Sequence, residues 1–230
     1  MSQKFTVLFD LDGTLVDTAP DLMLAHNHVM EKFGYKEREL SDIKKLAGGG
    51  SKTMLRKSMH EIAELSGKIK KTDEKMEEEM TKEFINFYSN NINKESKLIT
   101  GVLEFLIWCK NNSISMAVCT NKQEHLSIDL LKKMKIYHFF EYVAGGNTFN
   151  HNKPYPKHLT DTIEIMGGNI KKAIMIGDSE IDSGAAQGAN IPFILIEGGY
   201  TEKKVNQIYH NHLVKNFIGL EKIIGKYLND

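Results

Sequence analysis

The sequence predicts a doubly wound parallel α/β sheet with a helical insertion after its first strand, on three observations. Short apolar runs rich in Val, Ile, Leu and Phe recur along the chain, and several stop at an acidic residue or a glycine turn. From about residue 100 onward these runs alternate with segments of helical spacing, the pattern of a parallel sheet covered on both faces. Between residues 18 and 95 the alternation stops and only helical periodicity remains.

Taken in order, KFTVLFD reads as a buried strand that ends at Asp10, with Gly13 permitting a tight departure. Leu22, Ala25, Val29, Met30 and Phe33 then fall on one helical face, and Met54, Leu55, Met59, Ile62 and Leu65 on another. EKMEEEMTKEFINFYSNNI continues as a third helix, and the charged run KIKKTDEKMEEEM reads as a solvated helix face with a flexible turn. These boundaries predict a core from residues 1–17 and 96–230 and a helical cap from 18–95, hinged near 16–20 and 93–98 and able to act as a lid. After the cap, GVLEFLIWCKNN, EHLSIDLLKKMKI, PKHLTDTIEIMG and SGAAQGAN are helical patterns. Strands are expected through Val118 in SISMAVCTN, around Val143 in EYVAGG, through Ile176 in AIMIGDS and through Ile196 in IPFILIEGG. In such sheets the crevice at the carboxyl ends of the strands holds the chemistry.

Composition narrows the function classes. The chain has 230 residues, 41% of them hydrophobic, enough for one domain with a modest insertion. Thirty Lys and Arg against thirty Asp and Glu give a formal charge of zero, which argues against a protein that neutralises many nucleic-acid phosphates. No apolar run approaches the ~18 residues of a membrane span, and residues 1–20 lack a secretory hydrophobic region, so a cytoplasmic protein is expected. Cys109 and Cys119 form neither a metal-spaced cluster nor a disulfide framework and read as packing residues. The nine histidines, among them His26, His28, His210 and His212, show no transition-metal spacing and read as surface or packing residues.

Asp10 and Asp12 stand two apart in FDLDGTLVDT, at the end of the first strand. Two carboxylates delivered by one backbone can divide labour, one attacking an electrophile and the other moving a proton; the same pair also suits a turn that caps a helix. GDSEID brings Asp178 and Asp182 to a second strand end, and clustered carboxylates match the oxygen-rich octahedron that Mg²⁺ prefers. Thr120 and Asn121 offer a hydroxyl and backbone amides at an expected helix N-terminus, which favours an anion. Lys153, before Pro154, sits in a loop able to bring an ammonium to a phosphate.

The order of these features resembles the haloacid dehalogenase superfamily, whose four motifs are matched by FDLDGTLVDT, VCTNK, NKPYP and IGDSEID. The likeness covers nearly the whole chain and implies the family's Rossmann-like core. It further implies that Asp10 is a nucleophile and Asp12 a general acid and base, with Thr120, Asn121 and Lys153 around a phosphate. Asp10, Asp12 and Asp178 would hold Mg²⁺, and Asp182 would support them from behind. Because the superfamily's dehalogenases lack the acid that stands here at Asp12, the resemblance favours a phosphatase acting through an aspartyl phosphate.

LVDTAPDL, LAGGGSKTML and IEGGY are most similar to bacterial phosphoglycolate phosphatases. That likeness implies a small phosphorylated metabolite as substrate, with Gly48 and Gly50 in a cap loop that approaches it. Lys52 or Arg56 is then expected to meet a carboxylate. The competing readings are a pyrophosphatase, a phosphosugar phosphatase or mutase of the same superfamily, and a signalling domain that accepts a phosphoryl group on aspartate.

Overall fold

The computed structural model describes residues 4–65 and 74–228. Its first elements are β1 (Thr6–Phe9), β2 (Val16–Asp17), α1 (Ala19–Lys32), α2 (Ile43–Leu46), α3 (Ser51–Leu65), α4 (Glu74–Asn91) and β3 (Lys97–Leu98). There follow α5 (Val102–Asn111), β4 (Ser115–Cys119), α6 (Glu124–Lys133), β5 (Tyr142–Ala144), α7 (Lys157–Ile165) and β6 (Ala173–Gly177). The chain closes with α8 (Glu180–Gly188), β7 (Phe193–Ile196), β8 (His212–Val214) and α9 (Leu220–Leu228).

Six strands form one sheet in the order β5-β4-β1-β6-β7-β8, every pair parallel. The chain leaves central β1 for β4 and β5 on one side, then crosses to β6, β7 and β8 on the other, so the direction of winding reverses beside β1. Alternation along each strand divides the core. Val7, Phe9, Met116, Val118, Ile174, Ile176, Ile194 and Ile196 face one layer, with Phe105 and Leu106 of α5, Leu130 of α6 and Ile224 of α9. Leu8, Ala117, Met175, Phe193 and Leu195 face the other, against Leu159 and Ile163 of α7 and Ala185 of α8. A period of two with both faces buried is what strands covered by helices on both sides require. Both cysteines are buried, and burial pushes each thiol up to about 12, as suits packing residues.

The helical stretch between β2 and β3 packs on the first of these layers: Leu22, Val29, Leu46, Met54, Leu55, Phe84 and Tyr88 belong to the same apolar cluster as Phe9 and Val118. Residues 68–73 of the charged run, and the side chains of Ile62 and Leu65, lie outside the described residues. In the remainder of that run Glu74, Glu78 and Glu79 are exposed, whereas Glu77 turns inward to Arg56. The two ends of the stretch are tied together. β2 and β3 pair antiparallel, and Asp21, fully buried in the first turn of α1, accepts hydrogen bonds from Glu95 N (3.0 Å), Ser96 N (2.9 Å) and Ser96 Oγ (2.6 Å). His26 and His28 pack, His26 against Ser58 at 2.7 Å and His28 stacked on Phe87, whereas His60, His125 and His138 are exposed. No described helix is long and apolar enough to cross a membrane.

Candidate active site

Three strands of the central sheet end at one cavity. Asp10 follows β1, Thr120 follows β4 and Asp178 follows β6, and all three line it with Asp12, Lys153 and Asp182. Lys153 is brought in by the loop between β5 and α7. Its side chain is almost wholly buried, with Nζ 2.8 Å from Asp10 Oδ1 and 2.6 Å from Asp182 Oδ1. Asp182 is fixed by the start of α8, where its Oδ2 accepts from Ser179 Oγ (2.8 Å), Ser179 N (3.1 Å) and Asp178 N (3.2 Å). This reciprocal cap satisfies backbone donors that the helix leaves open and orients the carboxylate toward Lys153.

Asp178 accepts from Thr14 Oγ1 at 3.0 Å and from Tyr200 N at 2.7 Å. Gly13, at a φ of 83°, passes so close that a Cβ there would lie 2.5 Å from Asp178 Oδ2. Only glycine meets both demands. Asp10, Asp178 and Asp182 each bring a carboxylate oxygen to within 4.8 Å of the others. Three carboxylates against the single ammonium of Lys153 leave surplus negative charge in a buried place. Burial accordingly pushes Asp10 up to about 6 despite Lys153, with Asp182 and Asp12 adding to the rise; Asp178 is driven well above the usual carboxylate range by burial, then by Asp182 and Asp10. Lys153 is itself held charged, because the two acids outweigh its burial. An all-oxygen donor set with uncompensated negative charge fits a hard divalent cation.

Asp12 stands apart from that cluster. Its carboxylate, expected to join Asp10 and Asp178 around a metal, instead receives Lys122 Nζ on both oxygens (2.9 and 3.0 Å) and Thr18 Oγ1 on Oδ1 (2.7 Å). Asp182 takes the third place among the converging acids. Thr120 is buried at the cavity, its Oγ1 accepting from Lys122 N at 3.2 Å. Asn121 Nδ2 donates to Lys153 O (2.9 Å) and to Gly48 O (3.0 Å), joining the loop before α3 to the sheet. Gly48 and Gly50 line the cavity, but Lys52 and Arg56 do not: Lys52 is exposed, and the Arg56 guanidinium is bound to Glu77 on α4, with Nη2 to Oε2 at 2.7 Å. The α3 helix turns these two cations outward and presents Ser51 and Met54 to the cavity.

The family model for haloacid dehalogenase-like hydrolases matches residues 7–196, which spans every motif just placed. The chain belongs to the haloacid dehalogenase-like hydrolase family. Among curated relatives of this hydrolase, phosphoglycolate phosphatase of Mesorhizobium japonicum is 32% identical over 214 residues, covering 93% of this chain and 92% of its own. Phosphoglycolate phosphatase of Agrobacterium fabrum is 33% identical, covering 95% and 94%. A crystal structure of a predicted phosphoglycolate phosphatase from Haemophilus somnus superposes with a TM-score of 0.89 at 25% identity, over 97% of this chain and 99% of that one. β-Phosphoglucomutase of Clostridium difficile shares the fold, with a TM-score of 0.77 at 23% identity and 98% coverage of each chain.

Three residues of the hydrolase site are absent from the sequence reading. Lys122 stands in VCTNK but carries no marker that separates it from a surface lysine. Tyr88 on α4 accepts from Lys122 Nζ at 2.9 Å and lies under the ammonium at 4.4 Å. Tyr200 follows β7, and its hydroxyl accepts from Thr18 N (2.7 Å) and Ala19 N (2.8 Å) at the start of α1 while donating to Asp17 at 2.6 Å. Burial and Asp17 keep that phenol protonated.

Proposed function

We propose that this hydrolase is a Mg²⁺-dependent phosphomonoesterase that works through an aspartyl phosphate, with 2-phosphoglycolate as its substrate. The observation that carries the reading is the meeting of Asp10, Lys153, Asp178 and Asp182 in one buried cluster at the ends of β1 and β6. Relatives named phosphoglycolate phosphatase over more than nine-tenths of the chain support the substrate.

Asp10 attacks phosphorus while the bond from phosphorus to the ester oxygen breaks. Asp12 gives its proton to that departing oxygen, releasing glycolate. Asp12 then takes a proton from water, whose oxygen attacks phosphorus, and the bond to Asp10 breaks to give inorganic phosphate and the free carboxylate. Lys153 anchors Asp10 and neutralises phosphoryl oxygens, and Thr120 with the amides before α6 binds the remaining ones. Asp10, Asp178 and Asp182 would hold Mg²⁺, which supplies positive charge against the phosphoryl oxygens. Unaided phosphomonoester hydrolysis is slow enough that enzymes lower its barrier by roughly 28 kcal/mol, whereas one preorganised donor contributes about 2.7–4 kcal/mol. Nucleophile, proton donor, cation and several donors are therefore all needed.

Residues 18–95 form the cap of this reading and residues 1–17 with 96–230 its core. Support comes from the joints at both boundaries, where Tyr200 meets Thr18 and Ala19 and where Asp21 meets Glu95 and Ser96. Gly48 and Gly50 bring the cap against the site. Phosphate release with Mg²⁺ from phosphoglycolate, pyrophosphate and glucose phosphate tests the substrate: kcat/KM should be highest for phosphoglycolate, and equal values on glucose phosphate would overturn it. Asp10→Asn should lower kcat by at least about 10³-fold with the fold intact. Substantial turnover by that variant removes Asp10 as nucleophile.

A further inference from the structure

Cations are scarce around the cavity. Among its described lining residues they are Lys153 and Lys122. Lys153 is committed to Asp10 and Asp182, on the side where phosphorus sits in the proposed reaction. On the helical side the lining is uncharged: Leu22, Met54 and Phe84 are apolar, and Ser51 brings a hydroxyl but no cation. Lys52 and Arg56 are turned away. Lys122 lies between these two regions. It is only 7% exposed, and its ammonium touches Asp12 and Tyr88 and borders the cavity.

We propose that Lys122 selects the substrate by pairing its ammonium with a carboxylate carried on the carbon next to the ester oxygen. This rests on the reading of Asp12 as the group that protonates that oxygen. An ester oxygen within reach of Asp12 is also near the ammonium 2.9 Å from Asp12, and in phosphoglycolate a single methylene separates it from the carboxylate. An ammonium has three donors. Here they meet both oxygens of Asp12 and the Tyr88 hydroxyl, and a substrate carboxylate would take the place of one Asp12 oxygen. A methyl group in place of the carboxylate would bring the ammonium no acceptor in a poorly hydrated place, which disfavours the neutral ester. Tyr88 holds the ammonium from α4 by its hydroxyl and its ring face together, which fixes the cation without adding a second negative charge to that of Asp12.

Ethyl phosphate and phosphoglycolate differ by that one group, and the ratio of their kcat/KM values is the readout. Wild type should favour phosphoglycolate. Lys122→Met should slow both esters, because Asp12 loses a partner, and should also lower the ratio by roughly 30-fold or more, as expected for loss of a buried ion pair. Lys122→Gln retains a neutral donor for Asp12 and is the second variant should the methionine fail to fold; it should lose the preference while recovering rate on ethyl phosphate. Lys122→Arg should keep most of the preference. A ratio unchanged in the Met and Gln variants would overturn the proposal and leave Lys122 as a support for Asp12 alone. Wild type without any preference for phosphoglycolate over ethyl phosphate would overturn the substrate reading and the role of Lys122 with it, whereas a preference that survives in Lys122→Gln sinks Lys122 only.

Discussion

Replacing Asp21 by alanine should loosen the junction between the helical layer and the sheet by an amount that the geometry sets. The carboxylate is fully buried and accepts from three donors, Glu95 N, Ser96 N and Ser96 Oγ, at 3.0, 2.9 and 2.6 Å. A hydrogen bond to a charged group contributes about 1.5–3 kcal/mol, so three would approach 6 kcal/mol if none could be replaced. Glu95 is exposed and water can reach its amide, while Ser96 is buried and both of its donors would be stranded. Alanine also removes the cost of burying a carboxylate. A net loss of about 3 kcal/mol follows, against about 1 kcal/mol for Ser96→Ala, which deletes one donor of the three. Asp21→Asn should fall between them, since it keeps one acceptor oxygen and sets an NH2 against an N–H. Urea unfolding reads these as shifts of the midpoint at constant slope. A loss below 1 kcal/mol for Asp21→Ala, or one no larger than that of Ser96→Ala, would refute the reasoning.

Gly13→Ala forces a side chain into a φ of 83° and a Cβ to within 2.5 Å of Asp178 Oδ2. It should cost about 1–2 kcal/mol of stability and weaken Mg²⁺ activation by about tenfold or more; an unchanged Mg²⁺ titration would contradict the placement of Asp178. Saturating Mg²⁺ at about 100 times its Kd should stabilise the fold by about 2.7 kcal/mol and raise Tm by roughly 5–10 °C, reversed by a chelator. A chelator-insensitive melting curve would argue against a metal at the three acids. His158 is fully buried, and burial, with Lys153 beside it, pushes its imidazole down to about 4. Since the unfolded chain binds that proton more readily, this residue's contribution is complete above about pH 6.5 and is lost as pH falls toward 4, by about 2 kcal/mol at pH 5. Asp10, raised to about 6, acts in the opposite direction, so the comparison is wild type against His158→Gln. The gap between them should shrink on acidification; a gap that stays constant from pH 7 to 5 excludes the effect.

The strands at the centre of the sheet were legible because β1, β4, β6 and β7 are buried on both faces and read as continuous apolar runs. The convergence of Asp10, Thr120 and Asp178 on one cavity was legible because each stands at a strand end. Edge strand β8 was weakly marked, since His212, Leu213 and Val214 are at most half-buried and follow no apolar run. Helix α9 did carry a signal, with Leu220, Ile223, Ile224 and Tyr227 at helical spacing, and went unread. The short α2 has too few residues for periodicity to show. Lys122 and Tyr88 were illegible for a different reason: their meaning is a contact between residues far apart in the chain, and neither residue type in its local context marks it. Lys52 and Arg56 misled because spacing to a glycine loop does not say which way a helix turns, and the inward Glu77 had already claimed the arginine.

Tyr200 is bonded at both ends. Its main-chain amide grips Asp178 while, a ring's length away, its oxygen plugs the first free amides of α1. The residue is thus a strut between Asp178 and the foot of the helical layer. Displacing α1 from the sheet must either snap the strut at its hydroxyl or drag the Asp178 side along, so the setting of this carboxylate and the position of the helical layer cannot be tuned separately by any change that leaves this tyrosine in place.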